Sequence, residues 1–462
     1  MAPAPFKVII VGGSIAGLTL AHCLEQAGIA YTVLEKHNIA PQLGASLSIS
    51  PNGGRILDQL GLYDCIEPMA VAIKHVRFAF DDGFAFIERY PSTLRPRYGY
   101  PLLFLERQQL LGVLCDKLRD KSAVFAHKPV VSVRHTGEGV RVTTEDGSTY
   151  DGDIVVGADG VHSIVRSEMH NAASKLPSGP ISKRKHDQMT SQFSCTFGIS
   201  TDVKGATAGE VLWTSHDGHE VIAFPSHDGK VFWFLMVKLN TSHQHPNVPR
   251  YNHNNAIETC QAHVHLAVGN GLTFGDLWTR RWLFGMTALE EGVAQTWHFG
   301  RMVCIGDSIH KVTLEIGQGA NLAIEDAAAL ANTIRELVKG NETPTPDELN
   351  SALKKFNDFR LPRVTSVCKF GSSVTRLTTG DHPVRALFAR FALQYITKLC
   401  PVAGRRIFAL ADKIDYLPTP MRAGPEFAEA LRPTRWLSPT LASAVVVSVL
   451  FFVFILAPSP RK

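Results

Sequence analysis

The chain has 462 residues, of which 45% are hydrophobic and 19% charged, and this composition predicts a globular protein with a large core. Its net charge of +5 is small and dispersed, which argues against a nucleic-acid-binding protein. The eight cysteines are scattered without a Cys-x-x-Cys pair, which indicates reduced thiols rather than disulfides. The histidines over 243–265 lack the spacing of a metal site, so we expect a solvated loop there and no metal.

A glycine-rich turn follows the first predicted strand. Lys7–Val11 is an apolar run typical of a parallel strand buried on both faces. Residues 12–17 read Gly-Gly-Ser-Ile-Ala-Gly, a helical run follows over 18–27, and a second predicted strand, Ala30–Leu34, ends at Glu35. A tight turn, a helix N-terminus for a pyrophosphate and an acid for ribose hydroxyls together form the dinucleotide-binding fingerprint.

Two segments predict one antiparallel sheet. Residues 77–89 form a predicted hairpin around Asp82 and Gly83, and residues 193–240 alternate apolar and polar positions with a turn at Asp228 and Gly229. We expect this sheet to cover the ligand site. Its candidate cavity residues, for most of which a plain core position is the alternative, are Trp213, His216, Phe224 and Trp233.

Two further predicted strands end in a carboxylate. Asp159 and Gly160 follow the buried strand over 153–157, and Asp307 follows the strand over 301–305. The glycine-rich residues 316–321 then lead into an alanine-rich helix. A carboxylate at a strand end suits a sugar hydroxyl, and the unpaired N–H groups of a helix start suit an anion or an electron-rich ring.

With these three motifs in this order, the sequence resembles the single-component FAD-dependent monooxygenases of the aromatic-hydroxylase type. The residues within these motifs are most similar to those of the fungal epoxidases of meroterpenoid and indole-diterpene biosynthesis, and the resemblance covers roughly residues 5–375. The resemblance implies an α/β fold: a Rossmann-type FAD-binding domain with an inserted antiparallel β-sheet substrate domain. To this the C-terminal sequence adds the expectation of C-terminal helices and one transmembrane helix.

The expected domains follow the order of these motifs. The FAD-binding domain is expected at 1–185 and 286–375, and the β-sheet substrate domain at 186–285 with a contribution from the hairpin at 75–105. A C-terminal helical segment, a candidate for membrane association, is expected at 376–436 and a transmembrane helix at 437–457.

On the adenosine side of FAD, the resemblance implies that Glu35 holds the ribose. It implies that the turn at Gly12, Ser14 and Gly17 receives the pyrophosphate. Arg107 would reach over the phosphates as a bidentate cation.

On the flavin side, the resemblance implies that Ser48 lines the FAD channel and that Asp307 binds the ribityl chain. Ala320 and Asn321 would present backbone groups to the pyrimidine edge of the flavin, and Asp159 would serve both FAD and the visiting nicotinamide.

The chain departs from the family pattern at one position. The family usually carries a proline four residues after the histidine of Gly-Asp-x-x-His, whereas this sequence has Leu314 followed by Glu315. We therefore expect a loop of different shape over 311–316, with no consequence for FAD binding.

The C-terminal region predicts membrane association. Residues 437–457 carry no charge, and this length suffices for a hydrocarbon layer of about 30 Å. Residues 383–435 mix basic and apolar side chains, which fits either an amphipathic helix on anionic lipid or an ordinary packing helix. With no N-terminal signal, we expect a single-pass protein of the endoplasmic reticulum whose catalytic domain faces the cytosol.

The resemblance implies a monooxygenase that uses NAD(P)H and O2 to epoxidise a prenyl-chain alkene of a lipophilic secondary metabolite. This chemistry needs no acid or base from the protein, so no catalytic side chain is assigned. No second Rossmann fingerprint is present, and we expect the nicotinamide to dock transiently. The alternatives are an aromatic-ring hydroxylase, which needs a base to ionise a phenol, and a redox-inactive membrane flavin-binding protein.

Overall fold

The computed structural model describes residues 5–41, 46–175, 189–341 and 343–429. Its strands in chain order are β1 Lys7–Val11, β2 Ala30–Leu34, β3 Ser46–Ile49, β4 Val71–Ala72, β5 His75–Phe80, β6 Ala85–Glu88, β7 Leu103–Glu106, β8 Val124–Phe125, β9 Val130–His135, β10 Val140–Thr144, β11 Thr149–Gly152, β12 Ile154–Gly157, β13 Thr190–Thr201, β14 Glu210–His216, β15 His219–Pro225, β16 Lys230–Gln244, β17 Ala267–Gly269, β18 Leu272–Thr273, β19 Arg281–Val293, β20 His298–Phe299, β21 Met302–Cys304 and β22 His310–Lys311.

The helices in chain order are α1 Ile15–Ala27, α2 Pro51–Gln59, α3 Tyr63–Ile66, α4 Tyr90–Tyr98, α5 Arg107–Asp116, α6 Ile164–Ala173, α7 His253–Ala262, α8 Phe274–Thr279, α9 Gly319–Val338, α10 Pro346–Thr378, α11 Pro383–Ile396, α12 Cys400–Gly404 and α13 Pro425–Glu429.

A largely parallel sheet forms the first layer, with the strand order β20-β21-β12-β1-β2-β8. Its central strands are almost entirely buried because α1, α6 and β11 pack against them, which is why they read as continuous apolar runs. Helix α1 ends at Gly28, whose φ of +70° lies in the left-handed region that glycine enters without strain. The strands and helix predicted around the glycine-rich turn are confirmed, although α1 begins three residues earlier than expected.

A second sheet has eight strands in the order β22-β19-β13-β16-β15-β14-β5-β6. The predicted hairpins are present, because β5 pairs with β6 across Asp82 and Gly83, and β15 pairs with β16 across Asp228 and Gly229. The pairing of β14 with β5 is parallel and joins the early hairpin to the later strands. One face of this sheet packs against α7 and α8, and the other face turns toward the parallel sheet.

The described helices after the second sheet lie along its edge and beside the FAD half of the chain. Helix α10 packs against α9 and against β19, and α11 follows it with Leu393 among the residues buried beside the second sheet. No helix within the described ranges combines the length and the apolarity needed to cross a bilayer. The predicted span at 437–457 lies outside the described residues, and the proposed domain boundaries stay predictions.

Candidate active site

A cavity of about 590 Å³ lies between the carboxyl ends of the parallel strands and the inner face of the second sheet. This volume is within the range of small-molecule sites, and open α/β sheets bind ligands at this edge. Of the predicted cofactor residues, those that line the cavity are Gly12, Ser14, Glu35, Ser48, Arg107, Asp159, Asp307 and Ala320. Tertiary folding thus brings all three sequence motifs to one cavity.

The glycine-rich turn is closely packed against its neighbours. Gly12 has a φ of +108°, and a Cβ there would lie 2.3 Å from the Ala158 carbonyl oxygen. A Cβ on Gly17 would lie 2.0 Å from the Gly12 oxygen, so neither position accepts a larger residue without a shift of backbone. Gly17 is therefore a packing residue behind the lining. Ser14 makes no capping hydrogen bond, which leaves the first N–H groups of α1 available to an anion.

Glu35 is fixed at the end of β2 by backbone hydrogen bonds. Its Oε2 accepts from the Gly13 N–H at 2.7 Å, and its Oε1 accepts from the His37 N–H at 2.9 Å. Each carboxylate oxygen can accept a further bond, so the group is oriented and still able to bind a diol.

Arg107 brings a positive charge to the turn. Its Nη2 donates to the Ser14 hydroxyl at 2.7 Å, which places the guanidinium beside the N-terminus of α1. Burial lowers the pKa of Arg107, and Asp307 and Glu35 oppose that shift, so the side chain remains a cation at neutral pH. A cation beside free helix N–H groups fits a pyrophosphate.

The Asp-Gly and Gly-Asp motifs are joined through Ser308. Its hydroxyl donates to Asp159 Oδ1 at 3.1 Å and accepts from the Gly160 N–H at 3.0 Å. Asp159 Oδ2 also accepts from the Ile164 N–H at 2.7 Å, so much of the hydrogen-bonding capacity of this carboxylate is used at the start of α6. The Asp307 carboxylate is 47% exposed and lies 3.7 Å from the Lys311 Nζ, so it can bind a ligand hydroxyl in the cavity.

Asn321 lies beneath the cavity surface. Its amide nitrogen donates to the Gly317 oxygen at 2.7 Å and to the Ser48 oxygen at 3.0 Å, and its oxygen accepts from the Ser50 N–H at 2.9 Å. This buried side chain joins β3 to the start of α9. Ala320 lies beside it in the lining, where the backbone of the first helical turn faces the cavity.

The opposite side of the cavity is apolar. We call it the substrate wall and define it as Val76, Phe104, Trp213, Ile222, Phe224 and Phe234. The Phe104 and Phe224 rings stack with centroids 3.9 Å apart, and Trp213 packs on Phe78 at 4.8 Å. Such ring contacts hold the wall side chains in place and leave mainly apolar atoms facing the cavity.

Two of the four aromatic and histidine candidates do not line the cavity. The His216 ring bonds to Asp81 and, through Nε2, to the Ala267 oxygen at 3.0 Å. His216 is three positions after Trp213 on the same strand, and an odd separation turns the two side chains to opposite faces. Trp233 is fully buried on that other face, where its Nε1 donates to Ser200 at 2.8 Å. The expected cavity position of His216 is therefore wrong, and Trp233 takes the alternative core position.

Comparisons with known proteins agree with this arrangement. Residues 5–370 match the family model described as FAD binding domain. The chain is 42% identical to the FAD-dependent monooxygenase atmM of Aspergillus flavus, over 96% of this chain and 94% of that protein. It is 44% identical to the FAD-dependent monooxygenase cle3 of Aspergillus versicolor, over 92% of this chain and 87% of that protein.

The chain belongs to the FAD-dependent monooxygenases that contain this FAD-binding domain. A variant of Klebsiella pneumoniae HpxO, solved in complex with FAD, also has a similar fold. That match has a TM-score of 0.66 and 22% identity, and it covers 86% of this chain and 98% of the other. The predicted family and the FAD cofactor are confirmed.

The cavity of this monooxygenase suits FAD. The tight glycine turn, the uncapped helix start and the Arg107 guanidinium match the needs of a pyrophosphate. FAD has two groups of hydroxyls, one on the adenosine ribose and one on the ribityl chain. Acidic groups suited to them lie at two separate strand ends, Glu35 after β2 and Asp307 after β21.

Two contributions to the site escaped sequence reasoning. Residues 128–130 line the cavity near Glu35, and no local motif marks that connection. Glu220 and Glu315 form a buried carboxyl pair behind the substrate wall. The sequence did contain a signal for Glu220. This charged residue directly precedes the apolar run at 221–224 and lies at an inward-facing position of the strand.

The loop over 312–317, which carries the departure from the family pattern, lies between the cavity and α10. Leu314 packs with the residues of the substrate wall, and its oxygen accepts from the Gly317 N–H at 2.9 Å. A Cβ on Gly371 of α10 would lie 2.8 Å from Val312, so helix and loop pack without a gap. We call this segment the 312–317 loop.

Restoring proline at position 314 is expected to be tolerated in this monooxygenase. In the described part of the chain the Leu314 N–H donates no hydrogen bond, so proline removes no donor in use. We expect Leu314→Pro to retain FAD and to change the free energy of unfolding by less than about 1 kcal/mol. Denaturant unfolding and the flavin absorbance of the purified variant measure both quantities. Loss of FAD would show that the loop backbone at Leu314 is incompatible with proline.

Proposed function

We propose that this FAD-dependent monooxygenase epoxidises a C=C bond in the prenyl chain of a lipophilic secondary metabolite. The observation that carries the proposal is the substrate wall, which presents aromatic and aliphatic side chains to the cavity beside the FAD-binding residues. An apolar wall binds a hydrocarbon chain by removing its surface from water and keeps water away from the reacting atoms.

The net reaction consumes the alkene, O2, NAD(P)H and one proton, and it forms the epoxide, water and NAD(P)+. FAD supplies the redox chemistry that passes electrons from the nicotinamide to O2 and delivers one oxygen atom to the double bond. The residues of the chain bind and orient the reactants. In this proposal Glu35 holds the ribose of FAD, Arg107 the pyrophosphate and Asp307 the ribityl hydroxyls.

Hydroxylation of an aromatic ring is the second candidate. That reaction is favoured by a base or a hydrogen-bond acceptor that ionises a phenol near the flavin. The ionisable residues His162 and Lys311 also line the cavity, but they follow the Asp-Gly and Gly-Asp motifs of the FAD-binding half. On the opposite side the substrate wall contributes no ionisable group, and the Trp213 Nε1 donates to Glu220 at 2.9 Å. This composition favours the alkene over the phenol.

The decisive experiment incubates the purified protein with FAD, NADPH and a geranylated or farnesylated phenol. We expect a product heavier by one oxygen atom, located on a prenyl double bond by mass spectrometry and NMR, together with substrate-dependent NADPH oxidation. Oxygen on the aromatic ring would assign the hydroxylase instead. The absence of NADPH oxidation with any prenylated or phenolic substrate would favour a redox-inactive flavin-binding protein.

We also propose that the protein binds to a membrane through its C-terminal region. Helix α11 presents a stripe of large apolar side chains to solvent, namely Val384, Leu387, Phe391 and Tyr395. Arg385 and Arg390 of the same helix are paired with Asp381 and Asp82, so the apolar stripe itself is the lipid-binding feature, and the uncharged residues 437–457 follow in the sequence. An exposed apolar stripe on a helix suits a lipid surface, and a lipophilic substrate would partition into the same bilayer.

Deleting residues 438–462 is expected to release the protein from membranes while FAD stays bound, because the matched FAD-binding domain ends at residue 370. Membrane flotation and the flavin spectrum of the soluble fraction measure the two effects. Partial retention that is lost in Leu387→Ser with Phe391→Ser would assign the remaining affinity to α11. Unchanged membrane binding after both changes would refute the C-terminal anchor.

A further inference from the structure

Two glutamates from different halves of the molecule meet behind the substrate wall. Glu220 lies on β15 of the second sheet and is fully buried, whereas Glu315 belongs to the 312–317 loop. Glu315 as a residue borders the cavity, but both of its carboxyl oxygens are sealed from solvent. The two carboxyl groups lie within hydrogen-bonding reach of each other, so they connect the FAD-binding half to the second sheet.

The pair lacks enough donors to be satisfied as two carboxylates. Glu220 Oε2 accepts from the Trp213 Nε1 at 2.9 Å, but Glu220 Oε1 and both oxygens of Glu315 have no hydrogen-bond partner within the described residues. The two nearby threonine hydroxyls of α10 donate to backbone oxygens of their own helix, which leaves the Thr313 hydroxyl as one donor for three oxygens in this part of the structure. A proton on one carboxyl group turns it into a donor for the other, and the buried oxygens then gain a partner. The geometry therefore favours one proton shared between Glu220 and Glu315.

The surroundings supply no compensating charge. In the described ranges neither glutamate takes part in an ion pair, and the groups facing them are Thr375 and Thr378 of α10, Thr313 of the loop and the Cys195 thiol of β13. Burial raises the pKa of both glutamates, and for Glu220 the charge of Glu315 adds to the effect. Burial raises the pKa of Cys195 as well, so that thiol stays neutral.

We propose that Glu220 and Glu315 share one proton and act as a latch that holds the 312–317 loop against the substrate wall. The latch positions Trp213, which donates to Glu220, and Leu314, which precedes Glu315 and packs with the wall. Loss of the shared proton leaves two negative charges in contact, which repel each other and loosen the loop. The latch itself rests on this geometry, while its effect on catalysis rests on the proposed oxygenation.

An open loop has a defined chemical consequence. Water that enters the cavity would promote release of reduced oxygen as peroxide before it reaches the alkene, so that NAD(P)H, O2 and a proton yield NAD(P)+ and hydrogen peroxide without an epoxide. The ratio of peroxide to oxygenated product therefore reports whether the latch is closed. We expect this ratio to rise with pH in the wild-type holoprotein.

The test compares Glu315→Gln and Glu220→Gln with the wild-type holoprotein. Because burial raises the pKa values of both glutamates, the stability linked to the pair is fully present near pH 4.3, where an ordinary glutamate titrates, and is lost as pH rises through the raised values. A glutamine amide donates to the remaining carboxyl group without a titrating proton. We expect the Tm of each variant to fall less than the wild-type Tm between about pH 4 and about pH 9.

Glu336→Gln is the matched control, because Glu336 lies on α9 with its side chain 77% exposed and far from the cavity. Its Tm should follow the wild-type curve. Glu315→Gln should also keep the ratio of peroxide to product low at alkaline pH, which a purely structural defect would not do.

For each variant the difference between its Tm and the wild-type Tm is followed against pH. If this difference stays constant in both variants, the shared proton is refuted. A Tm difference that changes with pH, without a change in the peroxide ratio, would refute the positioning role. If no substrate is oxygenated at all, the Tm measurement still decides the latch, so its failure is distinguishable from failure of the proposed function.

Discussion

Replacing Asp307 with alanine is expected to strip most of the FAD from the purified protein. The Asp307 carboxylate lines the cavity at the end of β21 and is about half exposed there, so it is free to accept bonds from polyol hydroxyls. A hydrogen bond to a charged group contributes about 1.5–3 kcal/mol, and the loss of two such bonds weakens binding by roughly a hundredfold or more. Fluorescence titration of the apoprotein with FAD measures the dissociation constant.

The controls separate charge from hydrogen bonding and from general damage. Asp307→Asn keeps an acceptor without the charge, so we expect its affinity between those of wild type and Asp307→Ala. Asp358→Ala, at an exposed position of α10 paired with Lys354, should leave the affinity unchanged. If Asp307→Ala binds FAD as tightly as wild type, Asp307 does not hold the ribityl chain.

Replacing Arg360 with leucine is expected to cost about 3–5 kcal/mol of the free energy of unfolding. Arg360 is fully buried, donates from Nε to Asp326 at 2.9 Å and from Nη1 to Glu325 at 2.8 Å, and also contacts Asp412. Without the Arg360 guanidinium the buried acids lose a shared cation. Arg363 remains as a cationic partner of Glu325. Denaturant unfolding of the holoprotein measures the loss.

The network also predicts how this loss depends on pH. Burial alone would raise the pKa of Glu325, but Arg363 and Arg360 outweigh it and hold the pKa at about 2. A depressed pKa stabilises the fold above the ordinary value near pH 4.3, and the contribution disappears as pH falls through the folded value. We therefore expect the deficit of Arg360→Leu to be largest at neutral pH and to shrink in acid.

Lys354→Ala on the same helix is the control for the Arg360 experiment. Lys354 and its partner Asp358 are both exposed, and such surface pairs contribute about 0–1 kcal/mol. A loss in Arg360→Leu no larger than that of the control would contradict a structural role for the buried network. Behind the Gly-Asp motif this network also holds His310, whose Nε2 bonds to Asp326 at 2.6 Å.

Local sequence was sufficient for the elements around the cofactor. The turn at Gly12 needs a backbone conformation that glycine supplies, Glu35 directly follows β2, and Asp307 lies in the short turn after β21. Such requirements act between near neighbours in the chain, so their residue types and spacing appear in the sequence. The hairpins at Asp82 and Asp228 were predictable for the same reason.

What the sequence determined by itself is therefore the family, the FAD cofactor and the strand-turn-helix units that hold it. The tertiary structure alone decided that His216 turns away from the cavity, that Asn321 lies beneath it, and that Glu220 meets Glu315. The physical reason is that strand pairing and helix packing join residues far apart in the chain. Whether a carboxyl group meets a cation, water or another carboxyl group depends on that assembly, and its protonation follows from the neighbour it meets.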